Sequence, residues 1–104
     1  MNDLKIVFND GTEHPVQLTY RDLYELERSG KWEKELDEFF KIRAAGFNTR
    51  RMELDAMKVL HIAYLCAEKD EEKQMDFFTF LDHMDVRSGI ESMTLISDLW
   101  FKKK

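Results

Sequence analysis

The chain has 104 residues, with 21 acidic against 16 basic side chains, a net charge of −5 and one cysteine. That is the length of one small domain, able to bury roughly two-thirds of the surface its unfolded form exposes. No apolar run approaches the ~20 residues of a membrane span. One cysteine supports neither an internal disulfide nor a multi-thiolate metal site and suits a reducing cytoplasm, and a pI near 5.2 argues against general nucleic-acid binding.

In chain order, Leu4-Lys5-Ile6-Val7-Phe8 alternates, with Leu4, Ile6 and Phe8 on one side, and predicts a strand. Asn9-Asp10-Gly11-Thr12 carries the residues of a tight turn, and Glu13 to Leu18 returns with Val16 and Leu18 on a common face. Pro15 has no N–H for a ladder, so this strand is an edge or is just starting. A lone two-stranded ribbon is marginal in water, and its apolar face must lie on helices.

Thr19 is the expected N-cap of a first helix, with Asp22 three residues on and Leu18 and Leu23 at staple spacing. That helix turns Leu23 and Leu26 inward and ends near Ser29-Gly30. A second helix is expected from about Lys31 to Ala45, with Trp32, Leu36, Phe39, Phe40 and Arg43 along one stripe and Gly46 as the stop. The longest, about Thr49 to Glu68, is capped by Asn48 or Thr49. Met52, Ala56, Met57, Val59, Leu60, Ala63, Tyr64 and Ala67 form its broad inward face, as in a central helix packed on two sides. After a charged loop, Asp76 caps a short helix reaching about Met84, with Met75 and Phe80 as its staple. Ser88-Gly89-Ile90-Glu91 reads as a capping box opening a last helix, with Ile90, Met93, Ile96, Leu99 and Trp100 on one side. The expected fold is α+β, mainly α: an N-terminal β-hairpin (about residues 4–18) packed on a bundle of about five helices, all in one domain spanning 1–104.

Catalytic chemistry is hard to assemble from these residues. His61 has no His or Asp at i±3 or i±4 to make a helical metal pair, and reads as a surface or partly buried side chain. Asp82 and Asp85 stand near His83 in sequence without facing it on a helix. Cys66 lies late in an apolar helix, where the dipole raises a thiol's pKa, and reads as a small core residue. Four glycines cannot build a phosphate-cradling loop. The expectation is no enzyme, no cofactor and no metal. Arg50-Arg51 at a helix start either pairs with Glu53 and Asp55 or projects toward an acidic partner, the former being the plainer reading.

Surplus apolarity is the stronger signal. Phe77, Phe78 and Phe80 fall within four residues, and Trp100-Phe101 adjoin the terminal lysines. Adjacent helix positions stand ~100° apart, so these rings cannot all turn inward. The remainder would form an exposed aromatic patch for a protein partner or for self-association. Phe77, Phe78, Trp100 and Phe101 are therefore the candidate partner-binding residues. The negative charge is concentrated beside three of these rings, with a net −3 over Glu71–Ser88.

The run from Phe8 through Asp10-Gly11-Thr12 to Leu18-Thr19-Tyr20-Arg21-Asp22-Leu23 resembles the start of the tail assembly chaperones of long-tailed phages and prophages of Gram-positive bacteria. In that family a strand pair around a "DGT/DGK" turn is followed by "L-T-Y/F-x-D-L" entering the first helix. Ile62-Ala63-Tyr64-Leu65-Cys66-Ala67 is similar to its "AAYLCA"-like stretch, and Met75 to Leu81 to its "S/T-x-E-E-F-L" helix. Asp76 stands where the family often has Ser or Thr, an equivalent cap. The resemblance implies a non-enzymatic protein of the bacterial host's cytoplasm that binds the tape measure protein, keeps it soluble and helps recruit tail tube subunits. Homo-oligomers are a further option, while nucleic acid and membrane are not expected partners. The resemblance also raises a longer frameshifted form, since Lys102-Lys103-Lys104 can be encoded by an A-rich slippery tract; the plainer reading is that these lysines complement a helix C-terminus. Two competing roles are a structural tail or connector component retained in the virion and a small prophage regulatory protein.

Overall fold

The computed structural model describes residues 4–47, 49–85 and 89–100. Strands β1 (Lys5–Val7) and β2 (Glu13–Pro15) pair antiparallel, with Ile6 opposite His14 and Pro15 at the end of the ladder opposite Lys5. The turn between them is built by its own side chains. Asp10 Oδ1 accepts from the Thr12 amide at 2.9 Å and the Thr12 hydroxyl at 2.6 Å, and Gly11 takes φ +89°, a conformation open to glycine at no steric cost. These bonds from Thr12 hold the Asp10 carboxyl below its ordinary range.

Among the described residues five α-helices follow: α1 (Tyr20–Ser29), α2 (Glu33–Ala45), α3 (Met52–Ala67, preceded by a 3-10 turn at Thr49–Arg51), α4 (Phe77–His83) and α5 (Gly89–Trp100). The fold is α+β, mainly α, as the sequence predicts. Thr19 and Asp76 cap α1 and α4 as expected, their side chains accepting from the amides of Asp22 and Thr79. Gly30 closes α1 in the left-handed region at φ +74°. Residues 86–88 and Asn48 lie outside the described residues, and with them the Ser88 capping box and one of the two candidate caps of α3.

Helix α3 organises the interior, packing against α1, α2, α4, α5 and β2. Every residue from Val59 to Cys66 is buried. Eight consecutive positions cover more than two turns, so this stretch has no solvent face at all, which exceeds the two-sided packing the sequence suggests. Met52, expected inward, is exposed at the first turn. Around α3 the core gathers Ile6, Phe8 and Val16 from the hairpin, Leu23 and Leu26, Leu36 and Phe39, Phe80 and Ile96.

Helix α2 corrects the expected stripe. It buries Leu36, Phe39 and Ile42 and exposes Phe40 and Arg43. Phe39 and Ile42 are three residues apart and share a face, whereas Phe40 is rotated ~100° from Phe39. Larger apolar area did not win against helix geometry.

Hydrogen bonds at both ends of the hairpin hold it down. The Asn9 amide donates to the His83 carbonyl at 2.7 Å and Asn9 Nδ2 donates to the Asp82 carbonyl at 2.9 Å, so the turn satisfies the carbonyl end of α4. Further along, Asp22 accepts from Gln17 Nε2 (2.6 Å), the Thr19 hydroxyl (2.8 Å) and Lys69 Nζ (2.8 Å), linking the end of the hairpin, the start of α1 and the end of α3. Burial raises the Asp22 pKa, but the bonds from Lys69, Thr19 and Gln17 outweigh it and hold the carboxyl below its ordinary value. Replacing Asp22 by alanine leaves the Gln17 and Thr19 donors without this acceptor, at an expected cost of about 2–3 kcal/mol in a urea melt. The ion pair adds little to that figure, because the Lys69 side chain is 63 % exposed.

Candidate partner-binding surface

The three phenylalanines of α4 separate as helix geometry requires. Phe80 points inward and is fully buried against His61, Tyr64 and Phe8, at ring-centroid distances of 5.2, 5.7 and 6.1 Å. Phe77, three residues earlier on nearly the same side, is half-buried with its ring 5.5 Å from His61. Phe78 is turned away from both and stands 74 % exposed, its ring 6.1 Å from that of Phe77. An aromatic row thus runs from Phe8 through Phe80, His61 and Phe77 to the surface at Phe78.

Phe77 and Phe78 line a groove of about 420 Å³ between α2, α3 and the start of α4. Lys34, Glu35 and Glu38 come from α2, Lys58 and His61 from α3, Arg51 from the preceding turn, and Asp76 from the α4 cap. Lys58 Nζ bonds Glu38 Oε1 at 3.1 Å, which lowers the Glu38 pKa, and lies 4.0 Å from Asp55 Oδ1. Three cations face three carboxylates, so the groove carries no net formal charge, and its apolar lining comes from the two phenylalanine rings. Bonding from Thr79 keeps Asp76 ionised as the cap of the helix that presents them.

Of the other two candidates Trp100 alone is described, and it stands elsewhere. Trp100 is half-buried, stacked on Phe47 at 5.3 Å with the Arg43 guanidinium 5.8 Å from its ring. It is not among the residues lining the Phe77–Phe78 groove. Phe101 lies outside the described residues. The exposed rings absent from the candidate set are Tyr20 and Tyr24 on α1 and Phe40 on α2, together with the aliphatic Leu54 at the start of α3. Tyr20 and Tyr24 are four apart on a face rotated ~110° from the inward Leu23 and Leu26, a spacing readable from the sequence. Leu54 borders a smaller concavity of about 250 Å³ with Met57, Leu81 and Met84.

His61 is fully buried rather than on the helix surface. Its Nε2 lies 2.9 Å from the Met75 carbonyl. A carbonyl can only accept, so Nε2 carries the proton and the ring ties the segment before α4 to α3. Burial pushes the His61 pKa below its ordinary 6.5, against the opposing pull of the Met75 bond and of Glu35 and Asp76. The unfolded chain therefore takes up this proton first, and stability is expected to fall as pH drops from about 6.5 through the lower folded value. Asp22, whose pKa is also depressed, adds a second loss below about 4. Urea melts between about pH 7 and pH 3 check both steps, and His61→Gln is expected to flatten the first alone.

Cys66 is buried, and burial pushes its thiol up to about 12, so it is not a thiolate nucleophile at neutral pH. Among the described residues no group of three His, Cys, Asp or Glu side chains could hold a metal ion, and no helix is long and apolar enough to cross a membrane. Comparison with protein-family models, curated proteins and solved structures returns no match to this chain.

Proposed function

We propose that this chain is a phage tail assembly chaperone that binds the tape measure protein, keeps it soluble and helps recruit tail tube subunits in the cytoplasm of the bacterial host. The observation that supports this best is Phe78, 74 % exposed beside half-buried Phe77 at the mouth of a groove. A tape measure protein is long, helical and aggregation-prone, and a helix laid into such a groove covers one apolar side chain at each turn. An acidic carrier with a net charge of −5 adds like-charge repulsion that keeps the complex from coalescing. The motifs around Asp10-Gly11-Thr12, Leu18–Leu23 and Ile62–Ala67 support the same family.

Mass spectrometry of purified virions separates this role from that of a retained tail or connector component. A chaperone is absent from the finished particle or present at trace level, whereas a structural subunit recurs at fixed stoichiometry. Recovery of this chain at tail-subunit stoichiometry would overturn the proposal.

A further inference from the structure

We infer, resting on the proposed role of the Phe77–Phe78 groove as the partner site, that the groove selects a tyrosine or tryptophan side chain of the partner helix, whose O–H or N–H donates to Nδ1 of His61 at the groove floor. His61 lines the groove although it is only 1 % exposed. Its Nε2 donates to the Met75 carbonyl at 2.9 Å, so in the neutral ring Nδ1 is an acceptor. Burial pushes the His61 pKa below 6.5, which keeps the ring neutral at pH 7. Among the described residues no group donates to Nδ1. The atom is not sealed in the core, and the space the ring opens onto is the groove.

The donors nearest this ring are committed or misaligned. Lys58, three residues before His61 on α3, is bonded to Glu38 at 3.1 Å and lies 4.0 Å from Asp55. Trp32 meets the His61 ring at 87° with centroids 5.7 Å apart, and its Nε1–H makes no hydrogen bond. A partner that covers Nδ1 without supplying a donor strips its water and leaves a polar atom unpaired, which weakens the complex. The walls above this floor are aromatic. Phe77 stands 5.5 Å from His61, and Phe78, 74 % exposed, stands 6.1 Å from Phe77. A tyrosine or tryptophan meets both demands, bringing a ring to the phenylalanines and a polar tip to the floor. Both are residues that carry binding energy at protein interfaces. Glu35, Glu38 and Asp76 also line the groove and are the competing acceptors, which a His61 variant separates from Nδ1.

An NMR titration of the isotope-labelled full chain at neutral pH tests this with two probes. Para-cresol stands for a tyrosine side chain, and para-fluorotoluene has the same shape without a donor. Both are expected to shift the amides of Phe77 and Phe78, with para-cresol binding about 3–10-fold more tightly. Para-cresol alone moves the His61 Nδ1 resonance toward the hydrogen-bonded range. In His61→Phe the advantage of para-cresol falls below ~2-fold while para-fluorotoluene still binds. If that variant melts early, the Nδ1 resonance of the wild type decides alone. Para-cresol that binds no more tightly than para-fluorotoluene overturns the inference and leaves the groove as an apolar site for the chaperone role. An advantage that survives His61→Phe, or an Nδ1 resonance that para-cresol does not move, overturns it as well and assigns the hydroxyl to a carboxylate. Failure of both probes to shift these amides overturns it together with the groove as the partner site.

Discussion

Phe80→Ala is expected to destabilise the protein by about 3–5 kcal/mol, the range for removing a fully buried phenylalanine. Against a total of about 5–15 kcal/mol for a domain of this size, that is a large share of all the stability available. The ring does more than fill volume. It meets His61 and Tyr64 on α3 and Phe8 in the hairpin just after β1, so it is the common contact of the central helix, the hairpin and α4. Its loss leaves α4 with the Phe77–His61 and Phe8–His83 ring contacts, the His61–Met75 bond before it and the Asn9 bonds to its carbonyl end. A urea melt should show a lower midpoint, and amide exchange should show α4 opening at lower free energy than α3. A cost below about 1.5 kcal/mol would mean that α4 is not packed on the core in this way.

Phe78→Asp is expected to do the opposite: little to stability and much to binding. The side chain is 74 % exposed and sits in the first turn of α4. A carboxylate there interacts favourably with the helix dipole, so the change in unfolding free energy should stay within about 0.5 kcal/mol. In the proposed complex the same substitution places a charge where a partner helix must exclude water. Loss of an aromatic anchor costs at least ~2 kcal/mol at an interface, about a 30-fold rise in dissociation constant, and the buried charge adds to it. Titration against the isolated tape measure protein, with melting of the variant as control, measures both quantities. Equal affinity of the variant and the wild type would remove Phe78 from the interface.

Local signals in the sequence were read well because one residue can carry them. Thr19 and Asp76 each bond a specific amide, Gly30 takes a left-handed conformation, and Asp10 bonds Thr12 across its own turn. The facing of α2 was harder, since a hydrophobic pattern containing Phe39, Phe40 and Ile42 fits more than one angle and tertiary packing makes the choice. Phe78 was legible for a related reason: three rings in four residues cannot share a face, and Phe80 has the deepest place. What lay beyond reach were contacts between distant segments. Nothing local marks Asn9 as the partner of α4, 73 residues on, Phe47 as the stacking partner of Trp100, or Lys69 as the cation beside Asp22. The full burial of His61 is beyond local reading too, because a lone histidine among apolar residues does not announce a carbonyl acceptor 14 positions away. The Tyr20–Tyr24 face, by contrast, is readable from spacing alone, as two exposed rings four residues apart on one helix.

The central claim is that the Phe77–Phe78 groove holds an aggregation-prone helical partner in solution. The most direct measurement is the soluble fraction of the tape measure protein proposed as its partner, expressed alone, with the wild-type chain, and with the Phe78→Asp variant at matched levels. The account predicts that the tape measure protein is mostly insoluble alone, mostly soluble and co-purifying with the wild type, and insoluble again with the variant, which itself remains folded. A soluble fraction that the wild-type chain does not change, or that the variant raises equally, would contradict it.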